Sequence, residues 1–410
     1  MSNSNALDLF KERGFFKQVT HEDELRQTLD EKKIAAYVGF DPTADSLHVG
    51  HLMGIMALAH LQKAGHRPIA LVGGGTVMIG DPSGRTELRQ MLSKEVIDQN
   101  VAGIKGQLSK YMNFSNDQAL LVNNADWILP LNYIEFLREI GSQFSVNRML
   151  TAECFRSRME RGLSFIEFNY MLLQSYDFLI LNREYGCTLQ MGGDDQWSNI
   201  LAGTDLIRRL GGNDAFGLTW PLLTTASGKK MGKTEAGSVW LDPEKTEPFE
   251  FYQYWRNTHD DDVERFLAVF TFLSMEEVRK LGALQGQEIN EAKKILAYEV
   301  TKLAHGEEEA IKAEKTAESL FGSGAGAGEA LPVTRIKAGD YPEGIRLLDL
   351  LVLTGLVSSK KEGRRLIDQR GISMEQEVIQ EVGMVINPLE FSEGFTLQKG
   401  KKVFHKVEII

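Results

Sequence analysis

The chain has few cysteines and no long apolar run, and both absences exclude whole classes of protein. Cys154 and Cys187 are the only cysteines among 410 residues, which is too few for a disulfide framework or a cysteine-rich zinc cluster. No apolar run reaches the roughly 20 residues that a membrane-spanning helix needs, and residues 1–16 lack the apolar core of a secretory signal. We therefore expect a cytoplasmic protein with no membrane partner.

An excess of positive charge is also lacking, which argues against a general nucleic-acid-binding protein. The chain carries 46 lysines and arginines against 57 aspartates and glutamates, for a net charge of −11. The balance is uneven, because residues 341–410 contain ten basic and ten acidic side chains. Any contact with RNA must therefore depend on local basic patches.

The apolar pattern predicts an open α/β sheet in the first part of the chain. Buried strands are expected at residues 34–40, 67–74, 119–123, 188–191 and 218–223. Helices are expected at residues 1–31, 48–64, 131–141, 165–183 and 194–210. This alternation is typical of a Rossmann-like parallel sheet, in which ligands bind beyond the carboxyl ends of the strands.

The composition changes along the chain, which predicts three domains and a linker. Residues 1–240 form the α/β domain, and residues 241–321 have helical periodicity without a strand pattern of weight. Residues 322–332 are rich in glycine, which is typical of a flexible linker. Residues 333–410 form a small α+β module, with its helices first and short strands at the end.

Two histidines lie where the first strand of the α/β domain passes into the next helix. We expect Asp45 or Ser46 to cap this helix, with His48, Gly50 and His51 in its first turn. Free backbone N–H groups and the positive end of a helix favour a phosphate at such a junction. The same residues could also be zinc ligands or an ordinary half-buried histidine pair.

The common phosphate-binding motifs and a zinc site do not account for this junction. Residues 228–234 have three residues, not four, between their first two glycines, so they are not a Walker loop. The glycine-rich run that starts at Gly73 has Met78 where a dinucleotide fingerprint needs its last glycine. Zinc would need a third or fourth ligand, and no cysteine lies nearby in the sequence.

What remains is His-x-Gly-His together with the distant Lys-x-Gly-Lys-Thr of residues 230–234, and this pair suits nucleotidyl transfer. Neutral imidazoles can donate hydrogen bonds to phosphate oxygens, and Gly50 leaves room for a purine ring on the backbone. Lys230 and Lys233 can close over a triphosphate and follow its charge toward pyrophosphate. A bound carboxylate would itself attack the α-phosphate, so catalysis would consist of positioning and electrostatics. Each motif alone is usually an ordinary solvated segment, so the two carry weight only together.

These motifs resemble the signatures of a known family. Residues 40–51 resemble the first signature of the class I aminoacyl-tRNA synthetases, and residues 230–234 resemble the second. The resemblance is closest to the bacterial tyrosyl-tRNA synthetases and covers essentially the whole chain, including residues 80–84, 168–174 and 193–197. The C-terminal module also resembles the RNA-binding domain of ribosomal protein S-four.

The resemblance implies a two-step reaction in a homodimer. L-Tyrosine and ATP would give tyrosyl-adenylate, and the tyrosyl group would pass to the 3′ end of tRNA(Tyr). Mg²⁺ would accompany ATP as part of the substrate, with no metal held by the protein itself. The implied catalytic residues are Thr43, His48, His51, Lys230, Lys233 and Thr234. The implied ATP-binding residues are Asp41, Gly50, Gly193, Asp195, Gln196 and Lys233. The implied tyrosine-binding residues are Tyr37, Asp81, Tyr170, Gln174, Asp177 and Gln190.

The residues themselves give independent support for a phenol-binding pocket. Tyr170, Gln174 and Asp177 are spaced to share one face of an otherwise apolar helix. Such a face is either solvated or a buried polar site, and the apolar surroundings favour the site. Asp177 could accept a hydrogen bond from a phenol and Tyr37 could donate one to it, while Gln174, Tyr170 and Asp81 suit an ammonium group.

Two positions depart from the family pattern. The second signature contains Met231 and Gly232 and ends in threonine, but it keeps both lysines, so we expect activity. Asp194 stands where a serine is more usual, next to the proposed ribose carboxylate, and its extra charge could perturb ATP binding.

Basic residues predict where tRNA would bind. One cluster shares a predicted helix face and consists of Lys360, Lys361, Arg364 and Arg365. A second cluster has no acidic residue within it and consists of Lys399, Lys401, Lys402 and Lys406. Arg85 and Arg89 are weaker candidates for contact with the acceptor stem.

Two other functions fit part of the pattern. A non-catalytic RNA-binding or splicing protein on a synthetase scaffold would have no physical reason to keep both histidines, both lysines and the pocket. An enzyme for tryptophan would need only an acceptor for an indole N–H, which the pairing of Asp177 with Tyr37 does not match.

Overall fold

The structure is a computed structural model, and the chain folds as two compact units, Met1–Glu314 and Lys315–Ile410. The described residues are 5–81, 92–159, 162–226, 228, 231–234, 237–321, 333–337, 339, 341, 344–375, 377–391, 394–400 and 403–409. The boundary between the units falls within the helix Glu307–Phe321. The predicted linker, residues 322–332, lies outside the described residues.

The first unit contains a six-stranded sheet whose strands are mostly parallel. The strands are β1 (Gln18–Val19), β2 (Ala35–Phe40), β3 (Arg67–Val72), β4 (Leu120–Asn123), β5 (Cys187–Gly193) and β6 (Phe216–Trp220). Their order is β1-β6-β5-β2-β3-β4, and β1 alone among these six runs antiparallel to its neighbour. The predicted Rossmann-like α/β domain is therefore confirmed, with a mixed sheet whose edge strand β1 is antiparallel.

The direction of strand succession reverses between β2 and β5. From β2 the chain continues to β3 and β4 on one side, whereas β5 and β6 lie on the other side. In open α/β sheets the connections diverge at such a switch point and leave a crevice at the carboxyl ends of the strands. Tyr37 of β2 lies opposite Gln190 of β5 in the parallel register, so both residues belong to the two strands that border the crevice.

Ten helices among the described residues accompany the sheet. They are α1 (Ala6–Arg13), α2 (Glu22–Glu31), α3 (Leu52–Lys63), α4 (Lys94–Leu108), α5 (Ala125–Ile128), α6 (Tyr133–Glu139), α7 (Val146–Leu150), α8 (Glu153–Met159), α9 (Phe165–Tyr185) and α10 (Trp197–Arg209). The longest, α9, begins with a capping box between Ser164 and Glu167 and ends at Gly186, where φ is 64°. It packs against α10, and its apolar residues enter the core beneath the sheet.

The helical region predicted at residues 241–321 belongs to the same compact unit as far as Glu314. A short hairpin of β7 (Lys233–Thr234) and β8 (Gly237–Ser238) precedes it. Its helices are α11 (Pro248–Arg256), α12 (Val263–Phe270), α13 (Met275–Gly282), α14 (Ile289–His305) and α15 (Glu307–Phe321). The buried guanidinium of Arg13 donates to the carbonyl oxygens of Ala268 at 2.8 Å and Thr271 at 3.2 Å, so α1 caps the end of α12. A domain boundary at residue 240 stays a prediction.

The second unit mixes short strands with two helices. Its elements are β9 (Val333–Ile336), β10 (Ile345–Arg346), α16 (Leu347–Leu353), α17 (Lys360–Asp368), β11 (Ile372–Met374), β12 (Glu377–Val378), β13 (Val385–Ile386), β14 (Phe395–Lys399) and β15 (Val403–Ile409). Five strands form a sheet in the order β12-β11-β14-β15-β9, and β10 pairs with β13. Leu350, Ile367 and Leu397 are buried in its core. The strand β9 was not predicted, because the sequence pattern placed the strands at the end of the module only.

No helix in the described part of the chain is long and apolar enough to cross a membrane.

Candidate active site

The loop after β2 is held in place by α4. Asn100 donates its Nδ2 hydrogen to the carbonyl oxygen of Pro42 at 2.9 Å. Gln107 accepts from the backbone N–H of Leu47 at 2.8 Å and donates to Oγ of Ser46 at 2.9 Å. Each partner is buried, so these bonds fix the path of the chain from the sheet to the first histidine.

The histidines cap the helix themselves, which corrects the predicted cap at Asp45 or Ser46. The chain enters a single 3₁₀ turn, Val49–His51, before α3. The Nδ1 atom of His48 accepts from the N–H of Gly50 at 3.0 Å, and Nδ1 of His51 accepts from the N–H of His48 at 3.1 Å. A neutral imidazole that accepts at Nδ1 carries its hydrogen on Nε2. In the neutral form each ring therefore carries its N–H donor on Nε2.

The two signature segments lie against each other. The N–H of Val49 donates to the carbonyl of Val239 at 2.9 Å, and the N–H of Val239 donates to the carbonyl of Gly232 at 3.0 Å. At Gly232 φ is +83°, and a Cβ atom there would lie 2.8 Å from the backbone nitrogen of Gly50. Glycine is therefore required at 232 both by its conformation and by this close approach.

Gly50 also has no room for a side chain. A Cβ atom there would lie 2.8 Å from Cε1 of His48, because the imidazole ring covers this position. The predicted stacking of a purine on Gly50 stays a prediction.

Several predicted site residues cannot be placed. Lys230, Arg85, Arg89, Lys401 and Lys402 lie outside the described residues. The backbones of Lys233 and Thr234 form β7, but their side chains are not described. Thr43 lies in an exposed turn, where its N–H donates to the carbonyl of Asp41 at 2.8 Å.

Asp177 is buried in α9, and each of its carboxylate oxygens accepts a hydrogen bond. It is 2% exposed. Oδ2 accepts from Nδ2 of Asn124 at 2.9 Å, and Oδ1 accepts from Nε1 of Trp127 at 2.7 Å. Burial raises the pKa of Asp177 to about 7, the two donors act in the opposite direction, and the charge of Asp41 raises the pKa further. The carboxyl group therefore titrates near neutral pH.

The hydroxyl of Tyr37 lies near Asp177 and is buried without a partner among the described residues. The residue is 1% exposed. Its ring lies 5.4 Å, centroid to centroid, from that of Phe178, the residue after Asp177. Burial, followed by the charge of Asp177, raises the pKa of Tyr37 well above its usual value, so the phenol stays protonated. Oε1 of Gln190, on the adjacent strand, is also buried without a partner among the described residues.

Hydrogen bonds connect Asp177 to Asp41, the residue that follows β2. Asn124, which donates to Asp177, also donates to Oγ1 of Thr76 at 3.0 Å. Thr76 in turn donates to Oδ1 of Asp41 at 3.0 Å. The hydroxyl of Tyr170 donates to Oδ2 of Asp41 at 3.2 Å. We call these residues the Asp177 network: Trp127, Asp177, Asn124, Thr76, Asp41 and Tyr170.

A second set of side chains contains the remaining predicted tyrosine ligands. Asn199 donates to Oε1 of Gln174 at 3.0 Å and to Oε1 of Gln196 at 3.2 Å. Gln174 donates to Oε1 of Gln196 at 3.2 Å, and Gln196 donates to Oδ2 of Asp81 at 2.9 Å. We call these four residues the amide network.

The two aspartates after β5 have different environments. Oδ1 of Asp194 accepts from Gln18 at 2.7 Å and from Thr219 at 3.2 Å. Asp195 lies close to the backbone, because a Cβ atom at Gly193 would be 2.6 Å from its Oδ1. The carboxylate of Asp194, the residue that departs from the family pattern, therefore accepts hydrogen bonds from two donors.

Sequence reasoning missed four residues of these networks: Thr76, Asn124, Trp127 and Asn199. Thr76 and Asn124 follow β3 and β4 closely at the carboxyl edge of the sheet, where ligands of open α/β sheets bind. Their position after the strands could have identified them from the sequence. No sequence feature identifies Trp127 and Asn199, because their contacts depend on how α5 and α10 pack.

Comparison with known proteins identifies the family. The model for tRNA synthetases class I (W and Y) matches residues 29–322. A tyrosine–tRNA ligase from Clostridium tetani is 58% identical over 407 residues, which are 99% of each chain. Another, from Acetivibrio thermocellus, is 57% identical over 408 residues, 99% of this chain and 100% of that one. The chain belongs to the tyrosyl-tRNA synthetases.

A solved tyrosyl-tRNA synthetase has the same fold. The C-terminally truncated mitochondrial enzyme of Aspergillus nidulans has a TM-score of 0.70 at 34% identity and covers 78% of this chain and 94% of that chain. The predicted family and the predicted enzyme class, a tyrosine–tRNA ligase, are confirmed by these relatives. They do not favour the alternative of a non-catalytic RNA-binding protein.

The described part of this synthetase contains no group of three or more histidine, cysteine, aspartate or glutamate side chains that could hold a metal ion.

Proposed function

We propose that the chain activates L-tyrosine with ATP in the crevice between the Asp177 network and the amide network, and then transfers the tyrosyl group to tRNA(Tyr). The observation that carries this proposal is the buried hydroxyl of Tyr37, which has no partner among the described residues and lies near Asp177. A buried polar group without a partner is costly unless a ligand supplies one. A phenol satisfies both groups at once.

Recognition of the phenol would depend on one acceptor and one donor. The substrate O–H would donate to ionised Asp177, and the hydroxyl of Tyr37 would donate to the substrate oxygen. Phenylalanine would leave the hydroxyl of Tyr37 without a partner and would give the buried carboxylate of Asp177 no donor beyond Asn124 and Trp127. An indole N–H would satisfy Asp177 but not Tyr37, which argues against tryptophan as the substrate.

The other end of the substrate would lie between the two networks. Asp81 would pair with the ammonium group, with Tyr170 and Gln174 as further hydrogen-bond partners. Gln190, whose Oε1 is buried without a partner among the described residues, would contribute from β5. With the phenol and the ammonium group bound in this way, the substrate carboxylate would be left to meet the nucleotide.

The nucleotide would bind at the histidine turn. The Nε2–H groups of His48 and His51 would donate to phosphate oxygens, and Thr43 would act from the exposed turn before them. The further residues proposed for ATP are Asp41, Gly50, Gly193, Asp195, Gln196, Lys230, Lys233 and Thr234. Mg²⁺ would arrive with the triphosphate.

The chemistry would then require no nucleophile from the protein. A carboxylate oxygen of tyrosine would attack the α-phosphorus of ATP, and pyrophosphate would leave with the bridging oxygen. A hydroxyl of the 3′-terminal ribose of tRNA would attack the carbonyl carbon of the adenylate, and AMP would leave. The protein would contribute positioning and charge stabilisation in both steps.

The second unit would bind tRNA through α17, as the resemblance to the ribosomal protein S-four domain implies. Lys361, Arg364 and Arg365 are exposed on this helix. In the second cluster Lys399 pairs with Glu362 at 3.0 Å, and Lys406 pairs with Glu408 at 3.3 Å. On α17 Lys360 pairs with Asp349, whereas Lys361, Arg364 and Arg365 have no ion-pair partner among the described residues. Exposed cations without such partners are the better phosphate ligands, so the proposal rests on these three residues.

A homodimer is supported by exposed apolar side chains in the first unit. They lie on elements that pack around one core, and the most exposed are Phe165, Ile134, Tyr133 and Val146. Apolar side chains concentrated in this way mark a protein interface, and a closed twofold dimer would cover them.

Tyrosine-dependent exchange of pyrophosphate into ATP tests the proposed function. We expect Tyr37→Phe to lower the selectivity for tyrosine over phenylalanine by about tenfold, because one hydrogen bond to the phenol is lost. Tyr111→Phe is the matched control, since the Tyr111 hydroxyl is also buried without a partner among the described residues but lies outside the crevice. Unchanged selectivity in Tyr37→Phe would refute the pocket, and absence of exchange with every amino acid would refute the activity.

A further inference from the structure

The amide network contains a residue, Asn199, that no sequence motif indicates. It lies in α10, is 2% exposed, and directs Nδ2 at the Oε1 atoms of both Gln174 and Gln196. An amide nitrogen carries two hydrogens, so both bonds can form at once. We propose that Asn199 is a positioning residue for tyrosine binding, because it fixes which end of each glutamine amide faces the substrate. This proposal rests on the tyrosine site proposed above.

The orientation of Asn199 is itself determined by its surroundings. Sγ of Cys154 lies 3.8 Å from Oδ1 of Asn199, on the side away from the glutamines. Burial raises the pKa of Cys154 to about 12, so its thiol remains a weak donor. A donor on that side favours the carbonyl oxygen of Asn199 there, which directs the NH₂ group of Asn199 toward the glutamines.

The effect of Asn199 reaches the proposed ammonium ligand through Gln196. Because the carbonyl end of Gln196 is occupied by Asn199, its NH₂ end is available to Asp81, at 2.9 Å. Gln174 is oriented in the same way and donates to Gln196. None of these contacts involves the histidine turn. Gln196 is also among the residues proposed for ATP, whereas Gln174 and Asp81 are proposed for tyrosine alone. Loss of the Asn199 donors should therefore weaken binding of tyrosine more than binding of ATP.

Two substitutions of similar size separate positioning from space filling. Asn199→Leu removes both donors, and we expect it to raise the KM for tyrosine about tenfold, the equivalent of about 1.4 kcal/mol. Asn199→Asp has the shape of asparagine, but an ionised carboxylate only accepts, so it would face two glutamine oxygens. We expect it to raise this KM further than Asn199→Leu does, with a smaller rise in the KM for ATP for both variants, because Gln196 alone of the two glutamines is also proposed for ATP. A space-filling role predicts the opposite order, since aspartate fits the space better than leucine.

The pH dependence of the aspartate variant provides a second readout. Burial raises the pKa of a carboxyl group, and the protonated form can donate one hydrogen bond. The KM ratio of Asn199→Asp to the parent should therefore shrink as pH falls, when both are measured at each pH. The ratio for Asn199→Leu should stay constant, because leucine does not titrate.

Asn182→Asp is the matched control for introducing a buried aspartate. Asn182 is fully buried in α9 and donates to the carbonyl oxygen of Cys187 at 2.8 Å, outside the proposed site. We expect its melting temperature to fall while its KM for tyrosine stays at the parent value. An equal rise of this KM in Asn182→Asp, or an unchanged KM in both Asn199 variants of an active enzyme, would overturn the positioning role. Absence of tyrosine-dependent exchange in the parent enzyme would instead refute the proposed function.

Discussion

Replacing Trp127 with phenylalanine would remove one of the two hydrogen bonds that stabilise ionised Asp177. The bond joins Nε1 of Trp127 to Oδ1 of Asp177 at 2.7 Å, and phenylalanine keeps an aromatic ring without the donor. A hydrogen bond to a charged group is worth about 1.5–3 kcal/mol. At about 1.4 kcal/mol for each pH unit, its loss would raise the pKa of Asp177 by about 1 to 2 above its present value. That value is about 7.

The direction of the effect on activity follows from the form that binds tyrosine. Only ionised Asp177 can accept from the phenol while it also accepts from Asn124, so activity should be low below the pKa of Asp177 and level above it. At pH 7 about half of the parent enzyme is ionised, against roughly a tenth to a hundredth of Trp127→Phe. We therefore expect kcat/KM for tyrosine to fall about 5- to 50-fold at pH 7, with a smaller deficit at pH 8.5.

The assay is the pH profile of kcat/KM for tyrosine in pyrophosphate exchange, which reports the free enzyme. Trp255→Phe is the control, because Trp255 is buried in the helical region and its Nε1 has no hydrogen-bond partner among the described residues. Its profile should coincide with that of the parent. A Trp127→Phe profile lowered by the same factor at every pH would refute the role assigned to the hydrogen bond.

Three further predictions concern Asp194, the proposed dimer and the second unit. Gln18→Ala removes one of the two donors to Asp194 and should raise the KM for ATP about two- to tenfold. Adding Asp194→Ser should return this KM to the parent value, and an unchanged KM in Gln18→Ala would show that the charge of Asp194 does not affect ATP binding. Phe165 is 69% exposed, so Phe165→Asp should halve the mass measured by analytical ultracentrifugation, whereas an unchanged mass would place the interface elsewhere. Deletion of residues 331–410 should abolish charging of tRNA(Tyr) and spare pyrophosphate exchange; loss of both activities would contradict separate roles for the two units.

The strands of the sheet were predictable because parallel strands are buried on both faces and form continuous apolar runs. The runs before Phe40 and Val72 became β2 and β3 with ends changed by one or two residues. β1 was not predicted, since residues 1–31 have a helical pattern. That pattern is interrupted at Gly14, where φ is 89°, and the partner of β1 lies some 200 positions later in the sequence. Local periodicity contains no information about such pairing.

The candidate site was predictable where spacing on one element determined the outcome. Tyr170 and Asp177 share a face of α9, and both are buried as the apolar surroundings indicated. The helix cap was predicted wrongly, because the preference for aspartate or serine takes no account of an imidazole as an acceptor. Partners from distant elements were not predictable: the donors to Asp177 come from the β4–α5 region, and those to Asp194 come from β1 and β6.

The central claim is that Tyr37 and Asp177 select a phenol, and pyrophosphate exchange with each of the twenty amino acids tests it most directly. Tyrosine should support exchange, and kcat/KM for phenylalanine should be at least about thirtyfold lower, because two buried groups would each lose a partner at about 1–3 kcal/mol. Tryptophan should support none. Comparable exchange with phenylalanine or tryptophan, or exchange with neither these nor tyrosine, would contradict the account.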